Sequence, residues 1–291
     1  MDRKKKTTLL ILGLLFLFNL IAWGIIYEIN QPKSLEVVFF DVGQGKSALI
    51  KSPEGHYILI DGGPDVGILE KLSQEIPFWQ REIDLVILTH PHADHLNGLL
   101  DVLTHYDVQN VLWTGVKAEG ASFSQWEKVI LNSEVRIAQA GQRIKGRTFY
   151  LDILYPFSSL EDKVVEELNT TSIVSRLNSA DGSFLFVGDA YISNEKKLIQ
   201  MTESCLDKDE RYLAICRVMN LEADVLKVGH HGSRTSTSEE FLKKVAPSIA
   251  IISAGRDNRY DHPHPEVLAI LEEHAIRILR TDIEGDIKIK K

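Results

Sequence analysis

The sequence predicts an α/β (α+β) protein: two mixed sheets with helices outside them, preceded by one membrane-spanning helix. Three observations carry that reading. From Leu35 onward, strand-like and helix-like segments alternate without a break in composition, as hairpin-rich strands, a helix, more strands and then βα units. That order suits two mixed sheets better than a simple doubly wound one. Ahead of them, Thr7 to Tyr27 is uncharged and apolar, long enough to span a bilayer core as one helix. Finally, several apolar strands end in His or Asp, at the carboxyl ends where sites form in α/β sheets.

At the N-terminus, Arg3-Lys4-Lys5-Lys6 precedes Leu9-Leu10-Ile11-Leu12 and Leu14-Leu15-Phe16-Leu17-Phe18. Basic residues in that place put the N-terminus in the cytoplasm and the rest outside. A cleaved signal peptide would have a shorter apolar region, followed by small residues at a cleavage site. Trp23, Ile25, Ile26 and Tyr27 supply no such pattern, and Trp23 and Tyr27 suit an interfacial belt. The expectation is a basic tip and uncleaved anchor over 1–30, a linker over 31–34 (Gln31-Pro32-Lys33-Ser34) and one domain over 35–291. No Cys follows the apolar run, which argues against lipid attachment there.

Formal net charge is −8, and the first thirty residues contribute +2, so the remainder stands at −10. That argues against a broad non-specific nucleic-acid surface and leaves room for a narrow basic groove. The apolar content of 44% is ordinary for a globular protein with a proper core. The two cysteines, Cys205 and Cys216, flank a polar, charge-rich stretch. Outside the cytoplasm a disulfide closing that loop is one reading, and two unrelated thiols the other. Their distance in sequence from the His-rich segments argues against zinc ligation.

Along the domain, Leu35–Val42 reads as a strand ending in Gly43-Gln44-Gly45. Ser47–Lys51 and His56–Ile60 form a hairpin around Pro53-Glu54-Gly55, and Asp61-Gly62-Gly63-Pro64 follows. Ile83–Leu88 reads as a fully buried strand, being continuously apolar and rich in β-branched residues. Helices are expected near Val66, Leu96, Ser122, Ser193, Ser238 and Pro265. Later strands are Phe149–Leu154, Ser172–Leu177, Ser183–Val187, Val225–Val228 and Ile249–Ile252.

The densest chemistry is His90-Pro91-His92-Ala93-Asp94-His95, directly after Ile83–Leu88. Three imidazoles and a carboxylate in six residues have little structural use unless a cation collects them. Imidazole nitrogen with carboxylate oxygen suits zinc, iron or manganese better than calcium or magnesium. Other strand ends bring Asp61, Asp189, His230-His231-Gly232-Ser233 and His262-Pro263-His264-Pro265. An Asp before Gly at a strand end is commonly a turn residue, but four such ends beside the His cluster exceed what turns explain.

These segments resemble the metallo-β-lactamase superfamily, and within it the hydrolase domain of the DNA-uptake (competence) ComEC family. The resemblance rests on Phe40-Asp41-Val42-Gly43-Gln44-Gly45, Leu59-Ile60-Asp61-Gly62-Gly63 and Leu88-Thr89-His90-Pro91-His92-Ala93-Asp94-His95. It continues through Phe186-Val187-Gly188-Asp189-Ala190, Leu226–Ser233, Tyr260–Pro265 and Arg280–Gly285, covering Leu35 to the last residue. It implies a four-layer αββα sandwich with two divalent metal ions, Zn2+ or Mn2+, at its edge. His90 and His92 would bind one ion, and Asp94 and His95 the other. Asp189 would bridge them and His230 complete the second site, with His231 as the alternative in another loop register. Asp61 would hold the His loop through hydrogen bonds, as metal-bound histidines generally require.

Two departures from the family pattern stand out. Many members supply a third His to the first metal, yet the only His between His95 and Asp189 is His105, inside the expected helix. The corresponding position falls in Asn169-Thr170-Thr171-Ser172, so that site is weak, open, or completed by Asn169 or water. In addition, the uptake family's D-V-G-Q-G-D motif here ends in Lys46.

The expected chemistry is metal-assisted hydrolysis, in which the ions activate water and stabilise the charge of the leaving oxygen. Asp94 and Asp189 are the expected catalytic carboxylates. His264, with Ser233 or Arg234, would contact a phosphate oxygen, or else His262 and His264 only brace the Pro-rich loop. Phosphodiester hydrolysis of DNA leads, supported by the resemblance and by Lys227, Arg234, Arg256 and Arg259 near the site loops. A single span implies a separate channel protein as partner. The rivals are an extracellular esterase, lactonase or cell-wall phosphodiesterase, and a non-enzymatic, membrane-tethered binding module of the same fold.

Overall fold

The central strands read as largely apolar runs because both of their faces are covered. The computed structural model describes residues 2–29, 34–206 and 212–291. The chain divides into Met1–Ser34 and Leu35–Lys291. In the first unit, α1 (Arg3–Ile29) contains a segment, Arg3–Gly24, long and apolar enough to cross a membrane by length and composition. Thr7, Thr8 and Asn19 return their polar groups to backbone carbonyls four residues back, which is what a lipid environment demands of them. The linker expected over 31–34 lies, except for Ser34, outside the described residues.

The second unit opens with β1 (Glu36–Phe39), β2 (Ala48–Lys51) and β3 (Tyr57–Ile60), then α2 (Gly67–Glu75) and β4 (Glu82–Ile87). It continues with α3 (Ala93–His105), β5 (Asp107–Trp113), α4 (Ala121–Val129) and β6 (Glu134–Ile137). The chain then crosses to a second sheet through β7 (Arg143–Lys145), β8 (Phe149–Tyr155), β9 (Val174–Ser179) and β10 (Gly182–Phe186). After α5 (Ile192–Leu206) and α6 (Leu213–Cys216) come β11 (Val225–Lys227), α7 (Glu239–Val245) and β12 (Ile249–Ile252). Finally α8 (Pro265–Glu273), β13 (Arg277–Arg280) and α9 (Thr281–Glu284) lead to β14 (Ile287–Lys290), which returns to the first sheet.

The sheets run β14-β1-β2-β3-β4-β5-β6 and β13-β12-β11-β10-β9-β8-β7. Each is mixed: β3 to β6 are parallel beside an antiparallel β14-β1-β2-β3 edge, and β10 to β13 are parallel beside antiparallel β7 to β10. Strand alternation sorts side chains between layers. Val37 and Phe39 enter the core between the sheets, with Phe184 and Phe186 opposite. Val38 and Phe40 pack outward with Ile68, Leu72, Leu99 and Trp126 of α2, α3 and α4. Leu185, Leu226 and Ile252 pack outward with Leu198, Phe241 and Leu271 of α5, α7 and α8. The result is the four-layer αββα sandwich.

Some sequence expectations shift. The first strand ends at Phe39, not Val42, because Phe40 donates to Ser47 O and the chain then turns through Gly43 at φ 69. The strand expected from Ser172 begins at Val174, since Leu168–Thr171 forms a 3-10 turn. The strands β5, β6, β7, β13 and β14 were not anticipated, being short or charge-punctuated and defined by their sheet partners. Cys205 and Cys216 are joined by a disulfide, which decides between the two readings of that pair; residues 207–211 between them lie outside the described residues.

Candidate metal centre

The carboxyl ends of β3, β4, β10, β11 and β12 converge on one edge of the sandwich and bring together the ligand-type residues. After β4 the chain leaves the sheet through Thr89-His90-Pro91, and α3 starts with His92 in extended conformation as its N-cap. Asp94 and His95 occupy the first turn of α3, where the helix dipole favours a carboxylate. His90 and His95 are fully buried.

Asp61, at φ 58 after β3, organises this loop. One carboxylate oxygen accepts from the Thr89 N–H at 2.8 Å; the other accepts from Thr89 Oγ1 at 2.8 Å and faces His95 Nδ1 at 2.7 Å. His95 therefore presents Nε2 to the centre. Burial alone would depress its pKa, but Asp61, Asp189 and Asp94 outweigh burial and raise it to about 10. Without a metal, His95 is an imidazolium; a cation at Nε2 takes the place of that proton. Asp94 is held well below the usual carboxylate range: burial opposes this, and His95 and His231 overcome it.

Asp189 follows β10, with its N–H donating to Ser172 Oγ at 3.0 Å. Its Oδ1 lies 2.7 Å from Lys46 Nζ and 3.5 Å from His95 Nε2. Its Oδ2 lies 3.6 Å from His231 Nε2 and 3.9 Å from His230 Nε2. The Lys46 contact is an ion pair without hydrogen-bond alignment. The ammonium donates instead to Gly188 O at 2.6 Å and Val228 O at 3.3 Å, and Asp189 Oδ1 has no hydrogen-bond partner. Against the cost of burial, Lys46 and then His95 keep the Asp189 carboxyl well below its ordinary range.

The two consecutive histidines after β11 both adopt left-handed backbone, His230 at φ 44 and His231 at φ 55. Such conformations cost of order 1–3 kcal/mol each and persist where surroundings over-determine them. Here His231 Nδ1 donates to Ser253 O at 2.9 Å, which leaves its Nε2 as a lone pair 3.2 Å from Asp94 Oδ2. His230 Nδ1 pairs with Thr235 Oγ1 at 2.9 Å. It is thus His231, the alternative register, that joins Asp94 and His95, and His230 that stands at the periphery. Burial lowers the pKa of His231, and lowers that of His230 to about 4, so both are neutral near pH 7. His90 is likewise pushed far down, by burial and then by His95. Its Nε2 faces His92 Nδ1 at 3.0 Å.

These residues fit a divalent cation of the imidazole-and-carboxylate type. The buried Nε2 atoms of His95 and His231 have no hydrogen-bond partner. Among the described residues, two groups offer three ligand atoms all within 4.8 Å of one another: His90, His95 and Asp189, and Asp94, His95 and His231. Above them opens a cleft of about 730 Å³, lined among others by Gln44, His92, Asp94, Asn169, Asp189, His231, Arg259, Tyr260 and His262. Asn169 donates to Tyr191 OH at 2.9 Å, and its buried Oδ1 has no hydrogen-bond partner.

Several expected contributors sit elsewhere. His264 does not line the cleft; its Nδ1 accepts the Arg234 N–H at 3.2 Å and its own N–H donates to Gly232 O. That is a bracing geometry, and Ser233 and Arg234 are also outside the lining. His262 does line the cleft, stacked on His231 with ring centroids 6.0 Å apart, its pKa lowered to about 4 by burial and then by His231. Arg256 Nε is engaged by Asp282 O. Lys227 is buried outside the cleft lining with no hydrogen-bond partner, and burial and then Lys46 push its pKa far down. Arg259 is the expected cation that does line the cleft, beside Tyr260. Gln44, Ser172 and Tyr260 fall inside segments read in the sequence but were given no role there, and Tyr191 lies just outside them. Their place follows only from adjacency to the motifs.

The family model described as the metallo-beta-lactamase superfamily matches residues 40–256, and the chain belongs to that superfamily. Among curated proteins, it is 30% identical over 273 residues to ComE operon protein 3 of Bacillus subtilis, covering 88% of this chain and 33% of that protein. It is 30% identical over 267 residues to Recombination protein 2 of Haemophilus influenzae, covering 90% and 29%. The chain thus spans about a third of the length of these relatives. Among solved structures, the metallo-beta-lactamase fold protein YhfI from Bacillus subtilis is similar with TM-score 0.58 and 13% identity, covering 89% of this chain and 100% of that one. Tm1679, described as a metal-dependent hydrolase of the beta-lactamase superfamily, gives 0.52 and 14%, with 88% and 100% covered. These two likenesses bear on the fold alone.

Proposed function

We propose that this chain is a membrane-anchored, metal-dependent phosphodiesterase acting on DNA outside the cytoplasm. The observation that carries the reading is the cleft itself, whose lining brings Asp94, Asp189 and His231 together with Arg259 and Tyr260. A guanidinium suits a phosphate oxygen, and an exposed tyrosine ring suits a stacked base of a single strand. The resemblance to the DNA-uptake family and the relative named Recombination protein 2 support the same substrate class, and the remaining −10 of charge leaves room for a groove of this narrow kind.

Asp94, His95 and His231 would hold a divalent ion, which when bound would supply Lewis acidity and activate water. Asp61 orients His95, Ser253 O orients His231, and Ser172 Oγ fixes the backbone of Asp189. Arg259 binds and aligns the phosphate, while His262 stacks on His231 and limits its movement. α1 anchors the protein with its basic tip in the cytoplasm, and passage of a strand across the membrane falls to a separate channel protein.

The test is cleavage of single-stranded DNA and of a phosphodiester reporter by the full chain in detergent with manganese or zinc. Lactone and β-lactam substrates run alongside. Phosphodiester cleavage that disappears in Asp94→Ala is the expected result. Equal cleavage by the variant, or a preference for the lactone, overturns the reading.

A further inference from the structure

Two carboxylates, Asp94 and Asp189, reach the centre, a third, Asp61, stands behind His95, and the ammonium of Lys46 is built in beside them. Lys46 is buried, its Nζ 2.7 Å from Asp189 Oδ1 and held by Gly188 O and Val228 O. Three backbone-fixed or ionic partners leave that ammonium no solvent-facing alternative. The two candidate ligand groups also share His95. Its Nδ1 is committed to Asp61 at 2.7 Å, so only the Nε2 lone pair remains, and one lone pair serves one cation.

We propose that Lys46 makes this a one-metal centre: a single divalent ion is held by Asp94, His95 and His231, and the Lys46 ammonium takes the Oδ1 side of Asp189 that a second ion would need. The formal charges agree. Lys46 and one divalent ion already offset the three carboxylates, with His95 neutral as a ligand, before the buried amine of Lys227 is counted. A second divalent ion would leave two uncompensated positive charges in a largely buried place, and an anionic ligand would offset only one of them. Uncompensated buried charge is costly. An aspartate at position 46 would reverse the balance, offering a fourth carboxylate for two ions and a partner for the buried amine of Lys227, which has no hydrogen bond.

This inference rests on the metal-dependent reading above, and its experiment separates the two. The full chain in detergent is stripped with chelator and dialysed against Mn2+, with bound metal measured by elemental analysis and the Mn2+ spectrum recorded by electron paramagnetic resonance. Wild type is expected to hold one equivalent with an uncoupled spectrum. Lys46→Asp is expected to hold two with an exchange-coupled spectrum. Two tight equivalents in wild type overturn the one-metal inference and leave the hydrolase reading standing; none at all overturns both. A folded Lys46→Asp that stays at one equivalent overturns the role given to Lys46. Should that variant not fold by circular dichroism, Lys46→Met decides. Its second equivalent must enter at a Mn2+ concentration at least roughly tenfold below that for wild type, since a like charge beside the ion has been removed; an unchanged second affinity overturns the proposal.

Discussion

Asp61 Oδ2 lies 2.7 Å from His95 Nδ1, while the other oxygen of Asp61 accepts the Thr89 N–H. One carboxylate therefore sets both the tautomer of the buried imidazole and the path of the loop that carries it. Asp61→Asn keeps the shape and removes the charge. The expected outcome is a 10- to 100-fold loss of metal affinity, as for other outer partners of metal-bound histidines, about 1.4–3 kcal/mol. Competition against a chelator of known affinity measures it.

The same pair makes the metal-free protein sensitive to alkali. The folded pKa of His95 is about 10, against about 6.5 in an unfolded chain. The stability it contributes is fully present below about pH 6.5 and is lost as pH rises through about 10, amounting to a few kcal/mol. Urea unfolding in excess chelator at pH 6.5 and 9.5 should show this loss. Asp61→Asn should lose less over the same interval, because its His95 lacks the nearest carboxylate.

His230 and His231 are neighbours with unequal duties. His231→Ala is expected to lower metal affinity by about 100-fold or more, since its Nε2 stands 3.2 Å from Asp94 Oδ2. His230→Ala should change it by less than about tenfold, because its Nδ1 is engaged by Thr235 and its Nε2 lies 3.9 Å from Asp189. Parallel metal titrations of the two variants decide, and an equal or reversed effect counts against the assignment.

Arg259→Ala should raise KM for a DNA strand roughly tenfold with kcat little changed, and flatten the salt dependence by about one phosphate contact. Arg234→Ala, outside the cleft lining, should leave both near wild type. Steady-state kinetics at two ionic strengths distinguish these outcomes.

Much of the fold was legible because its strands are buried on both faces and its helices present an apolar side. β12 stands out as an apolar run and β4 as one broken by Asp84, and Ser238 caps α7 by accepting from the Phe241 N–H. β14 was not legible, since Ile287-Lys288-Ile289-Lys290 becomes an edge strand only by pairing with β1 some 250 positions earlier in the chain, as in Phe39 with Ile287. The cluster from His90 to His95 was legible for the opposite reason: its residue types are costly to bury without a cation. The choice between His230 and His231 was not, because it turns on left-handed backbone and on the carbonyl of Ser253, just past the end of β12.

By itself, then, the sequence determined the residue types of the centre, the strand ends that carry them and the apolar span before the domain. Those follow from local chemistry: burial patterns, turn residues and ligand spacing. Only the tertiary structure decided which imidazole nitrogen faces inward, that His264 braces Arg234, and that Lys46 reaches Asp189 across 143 positions of chain. The physical reason is that such pairings depend on two sheets meeting at one edge. Their distances are set by packing between layers and not by anything within either segment.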